Sequence, residues 1–82
     1  MAVLSCRYLY RNWMNGDGGT RIAAHAHPYW QVEFVVAGRV VTRVGGGVYD
    51  MRGGAILLPP DIPHGFEYLA AGTGVFSVKF DE

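Results

Sequence analysis

The chain has 82 residues, half of them hydrophobic, and its seven basic residues balance seven acidic ones. That length holds one domain, residues 1–82. The apolar content excludes a disordered chain, and zero net charge leaves no electrostatic footprint for nucleic acid or an anionic membrane.

Short β-rich runs alternate with turn residues along the whole sequence. Val3 to Tyr10 is the first run, and Asn15-Gly16-Asp17-Gly18-Gly19 is a loop. Thr20 to His27 is the second run, interrupted by Pro28, which cannot donate to a ladder. Trp30 to Ala37 and Arg39 to Val44 follow, with a bend at Gly38. Gly45-Gly46-Gly47 predicts a hairpin turn into Val48 to Met51. Ala55 to Leu58 is the sixth run, and Pro59-Pro60-Asp61-Ile62-Pro63 is a stiff loop. His64 to Leu69 and Val75 to Phe80 complete a set of eight.

Eight short strands with turns at this spacing predict an all-β antiparallel sandwich or small jelly-roll barrel. The mouth and interior of such a barrel are where small molecules bind. No helix of useful length is expected, so a helix-turn-helix is excluded from these residues. No apolar run approaches the ~20 residues of a membrane span. Near this size a single core seldom supplies more than ~3–5 kcal/mol, so a metal or self-association is the expected supplement. Cys6, the one cysteine, excludes an intrachain disulfide and suits a reducing, cytoplasmic compartment. It reads as a small buried residue. Val3-Leu4-Ser5-Cys6 has the form of a lipoprotein box, but no signal sequence precedes it.

The three histidines carry the chemical signal. His25 and His27 are two apart on one predicted strand and so share a face. His64 follows the proline-rich loop, and an antiparallel roll can bring it beside them. Three imidazoles make most of a first-row metal site. A fourth ligand would come from Gln31 or Glu33, which share a face of the next strand. Glu33 brings charge and Gln31 only a carbonyl oxygen, and spacing alone does not choose between them.

These residues resemble the two signature motifs of the cupin superfamily. The first motif is matched by Gly19, His25-Ala26-His27, Gln31 and Gly38, with Gln31 standing where the family has glutamate. The second is matched by Gly53, Pro59-Pro60-Asp61, His64 and Tyr68, with Asp61 and Tyr68 in place of glycine and asparagine. The resemblance implies a metal (Fe, Mn, Ni or Zn) held by His25, His27, Gln31 and His64 inside a cupin-like jelly roll. Glutamine at the carboxylate position implies weaker metal affinity, with Glu33 as a polar contact deeper in the cavity.

The run His27 to Gly38, the run Gly54 to Phe66 and the ending Phe76 to Phe80 are also similar to the amino-terminal domain of AraC-type transcriptional regulators. That resemblance implies a homodimer that binds a small-molecule effector, often a sugar, without touching DNA itself. A free-standing metal-dependent cupin enzyme, dioxygenase or isomerase, is the alternative. Around the site, Arg21 precedes His25 by four and is expected on its face, where a guanidinium suits a hydroxyl or carboxylate. Trp30 offers a stacking face for a sugar ring, against the ordinary reading of core or interface packing. Glu33 and Tyr68 are the remaining candidate ligand contacts. Val32, Phe34 and Val36 lie opposite Gln31 and Glu33, and are expected to be covered by a second sheet or a partner subunit.

Overall fold

A computed structural model describes residues 5–82. Its strands are β1 (Arg7–Gly16), β2 (Arg21–His25), β3 (Trp30–Ala37), β4 (Val40–Val44), β5 (Gly47–Met51), β6 (Ala55–Leu58), β7 (His64–Tyr68) and β8 (Thr73–Asp81). They form two four-stranded antiparallel sheets, ordered β1-β8-β3-β6 and β2-β7-β4-β5. This is the expected all-β jelly roll, in which every connection except the β4–β5 hairpin crosses between the two sheets. No helix among the described residues is long and apolar enough to cross a membrane.

The first sheet reverses the usual alternation. Its polar side chains point inward: Gln31, Glu33, Ser77 and Lys79 are each at most 5% exposed. Its outer face carries Phe34, Val36 and Leu57, all exposed. Register sets the inner groups in rows, with Gln31 beside Lys79 and Glu33 beside Ser77. β1 extends both rows, with Tyr10 opposite Lys79 and Asn12 opposite Ser77. Val35, Val40, Leu58, Phe66, Tyr68 and Val75 form the apolar core between the sheets.

β1 departs most from the sequence expectation. Met1 to Leu4 lie outside the described residues, and the strand runs on through Asn15 and Gly16, where a loop is expected. The long β8 supplies the reason: Asn15 pairs with Gly74 and Gly16 with Thr73. Ladder pairing overrides the local turn preference of Asn-Gly. Trp13 then lies over Gly74, where an added Cβ would come within 3.0 Å of its ring. Cys6 is exposed rather than buried, and it stands just before β1, outside the paired strands. β8 begins two residues earlier than expected, at Thr73, and β7 ends at Tyr68, leaving Leu69 exposed.

Two backbone positions shape the site. Gly38 has φ of +80° and lies against Thr73, where any Cβ would fall 2.3 Å from Thr73 Oγ1. Asp61 has φ of +63° in the proline-rich loop. Aspartate is among the few residues that tolerate this left-handed region, which accounts for its standing at a glycine position of the motif. Its N–H donates to His27 O at 2.8 Å, tying the loop that precedes His64 to the segment that carries His27.

Candidate metal centre and its cavity

His25 ends β2 and His64 begins β7, and the two are register partners. The pairing shifts between Ile22 and His25. Such a bulge inserts an extra residue and reverses the alternation. It turns His25 onto the inner face with Ile22 and leaves Arg21 outside. His27 lies beyond the strand end, just before Pro28. Ligand atoms of His25, His27 and His64 all fall within 4.8 Å of one another. His64 is buried, His27 half-buried and His25 exposed.

Hydrogen bonds set which ring nitrogens are free. His25 Nδ1 lies 2.8 Å from Ala23 O, and His64 Nδ1 lies 3.2 Å from Ile62 O. Donation from each Nδ1–H to its carbonyl leaves the Nε2 lone pair for a metal, the usual second support of a ligating histidine. His27 Nε2 lies 3.3 Å from His64 Nε2 and 3.0 Å from Gln31 Oε1. Two atoms about 2.1 Å from one ion, at tetrahedral or octahedral angles, stand about 3.0–3.4 Å apart. The spacing of His27, His64 and Gln31, with His25 within 4.8 Å of the other two imidazoles, and the donor set fit a divalent transition metal. Gln31 Nε2 donates to Glu33 Oε2, which turns the amide so that Oε1 faces His27. His27 also stacks on Tyr29, with ring centroids 4.7 Å apart.

Burial governs the electrostatics. It lowers the pKa of His27 and His64 below the ordinary histidine value, favouring the neutral, ligating form. Burial raises Glu33, against the lowering effect of its bond from Gln31. Tyr29 is pushed up to about 12, by burial first and then by its hydrogen bond with Tyr10. A cavity of about 290 Å³ opens beside His25, His27 and Gln31, walled by Glu33, Phe66 and Lys79. That volume suits a small molecule.

Other expected contacts lie elsewhere. Arg21 faces a groove on the outside of the second sheet and meets Glu67 at 3.4 Å. Trp30 is on the outer face of the first sheet, stacked on Phe80, with its indole N–H donating to Glu82. Tyr68 is 1% exposed within the core, and its hydroxyl has no hydrogen-bond partner among the described residues.

The sequence profile of the cupin domain matches residues 12–78. The chain is a cupin. No curated protein matches it significantly. Among solved structures it is similar to KdgF from Halomonas sp., with a TM-score of 0.82 and 22% identity over 88% of this chain and 68% of that one. It is similar to a predicted oxalate decarboxylase from Thermotoga maritima, with a TM-score of 0.84 and 14% identity over 93% of this chain and 69% of that one. It is also similar to Bacillus subtilis oxalate decarboxylase, a protein with Mn(II) centres, with a TM-score of 0.83 and 18% identity over 92% of this chain and 22% of that one. At these identities the likeness establishes the fold. The AraC-type resemblance draws no support from these comparisons.

The sequence reading missed Lys79, Ser77, Asn12, Tyr10 and Met14, which complete the cavity of this cupin. One signal was present: in β8 Ser77 and Lys79 alternate with Phe76, Val78 and Phe80. The polar face of an antiparallel strand normally meets water, and here it faces the barrel.

Proposed function

We propose that this cupin is a metal-dependent enzyme that binds a small oxygen-bearing molecule in its barrel and moves a proton on it, chemistry of the isomerase class. The convergence of His25, His27, His64 and Gln31 beside the buried carboxyl of Glu33 carries this reading. A divalent transition metal held by those four residues supplies Lewis-acid polarisation of a substrate oxygen. Glu33 supplies the proton relay. Its raised pKa brings the carboxyl towards the range where it both accepts and returns a proton near neutrality. Gln31 holds Oε2 of Glu33, and Oε1 is left to meet substrate. Phe66 and Met14 contribute apolar wall to the cavity and keep water from the reacting atoms. Dioxygenase chemistry is the neighbouring class, and the buried proton carrier favours proton transfer over it.

The test is hydrogen exchange on substrate. Metal-loaded protein in D₂O is incubated with a panel of 2-oxo acids, 2-hydroxy acids and ketoses, and deuterium entering next to the carbonyl is followed by NMR. The wild type is expected to exchange at least one compound, and Glu33→Gln to slow that exchange by about 10²–10⁴-fold, the usual contribution of a positioned acid–base group. Absence of exchange across the panel overturns the proposal.

One observation favours a second reading, the effector-binding and dimerisation domain of an AraC-type regulator. The outer face of the first sheet is apolar, with Phe34 39%, Val36 60% and Leu57 49% exposed. Such a face suits burial against a second copy of the chain. A sugar or other effector that binds without turnover and tightens the dimer would support it.

A further inference from the structure

Lys79 is a cation in the barrel wall that forms no ion pair among the described residues. Its side chain is buried, with the residue only 5% exposed. The ammonium donates to Asn12 Oδ1 and Ser77 Oγ, and Ser77 Oγ donates to the same Asn12 oxygen at 2.7 Å. Nζ also sits 4.9 Å from the centre of the Tyr10 ring. An ammonium has three donors, so one is left for another acceptor. Ion pairs among the described residues join Arg7 to Asp81, Arg21 to Glu67 and Arg39 to Asp50, all away from the cavity. Glu33 is close enough to influence Lys79 electrostatically but does not pair with it.

A buried charge bonded to neutral oxygens and a ring face, with Glu33 nearby but not paired to it, is incompletely compensated in the free protein. Lys79 shares the cavity with His25, His27 and Gln31, and is the register neighbour of Gln31. An anion placed there would meet the metal ligands on one side and the ammonium on the other.

We propose that Lys79, held by Asn12 and Ser77, is the anion-binding group of the cavity and selects small carboxylates as the molecules bound there. This rests on the reading of the cavity as the substrate site and narrows its substrate class. Asn12 and Ser77 fix the ammonium in place, and the carboxylate supplies the missing counter-charge. A neutral sugar would leave the lysine as unpaired as before.

The test compares acids with their amides on the manganese-loaded protein. Calorimetry with pyruvate, malonate and glucuronate, each against its neutral amide, reads the preference directly. At least one acid is expected to bind tenfold or more tightly than its amide. Lys79→Met is expected to erase that preference while the metal content stays unchanged, and Lys79→Gln, which keeps polar contacts to Asn12 and Ser77, to erase it as well. Thermal melting without ligand checks the folding of both variants, and Lys79→Met is expected to melt higher than wild type. Equal binding of acids and amides, or a preference that survives both substitutions, overturns the proposal. A protein that takes up no metal defeats the metal-centre reading separately, and the same acid–amide comparison then decides the role of Lys79 without it.

Discussion

His27 Nε2 and His64 Nε2 lie 3.3 Å apart although 37 residues separate them in sequence. Two local devices bring them together. The bulge in β2 turns His25 inward just before the segment that carries His27, and the Asp61 N–H draws the proline-rich loop to His27 O. The candidate metal centre is thus a product of backbone geometry at two strand ends.

Gln31→Glu tests the fourth ligand. A carboxylate there adds charge towards a metal, but it also stands beside Glu33, which now accepts a hydrogen bond from Gln31. Like charges in a buried site repel. The variant is therefore expected to melt below wild type without metal and to gain more than wild type from saturating Mn²⁺, by linkage between binding and folding. Differential scanning fluorimetry with and without the ion reads both. An equal metal-induced shift in the two proteins would place residue 31 outside the coordination sphere.

The metal-free protein has opposing pH dependences. His27 and His64 titrate below their ordinary value of 6.5 when folded. As pH falls below about 6.5 the unfolded chain binds these protons first, so stability is lost until the folded values are passed. Glu33 works the other way, because its folded value lies above the ordinary 4.5. The folded state keeps that proton longer than the unfolded chain, so stability declines as pH rises from about 4.5 through the folded value. Glu33→Gln removes the second slope. Its melting temperature is expected to climb more steeply than wild type between about pH 4.5 and 6.5. Parallel profiles would contradict the burial argument for Glu33.

Two glycines separate backbone strain from collision. Gly19 and Gly38 have φ of +90° and +80°, but only Gly38 would bring a Cβ against Thr73, while Gly19 faces open space. Gly19→Ala carries conformational strain alone, about 1 kcal/mol. Gly38→Ala adds a clash with Thr73 Cα at 2.6 Å and is expected to cost at least about 2 kcal/mol. In a domain of this size that is a drop of about 8–16 °C in melting temperature. Equal losses in the two variants would mean that Thr73 yields easily.

The outer face of the first sheet predicts self-association. Phe34→Lys combined with Val36→Lys places two charges on it without touching the cavity, since both residues point away from Gln31 and Glu33. Sedimentation is expected to show a wild-type dimer and a monomeric variant. A wild-type monomer at all concentrations would remove this face as an interface between copies.

Much of this was legible in the sequence, for identifiable reasons. His25, His27 and His64 stood out because histidine is scarce here and the motif spacing is retained. β3 and β6 were placed correctly because short runs rich in apolar residues and bounded by proline and glycine leave few alternatives. Arg21 was expected beside His25 by simple alternation, and the bulge reversed that alternation in three residues. Trp30 was a candidate stacking face for a ligand, although its neighbour Gln31 points inward and Trp30 must therefore point out, the interface position that was the ordinary reading. Lys79 went unread because its burial depends on β8 pairing with both β1 and β3. No local pattern tells a lumen-facing lysine from a solvated one.

The most direct test of the metal centre is elemental analysis of protein purified without a histidine tag, loaded with Mn²⁺, Fe²⁺, Ni²⁺ or Zn²⁺ and then desalted. The account predicts about one ion per wild-type chain and loss of most of it in His64→Ala, whose missing imidazole is the most buried of the three. A wild type that retains no ion, or a His64→Ala variant that retains as much as wild type, would contradict it.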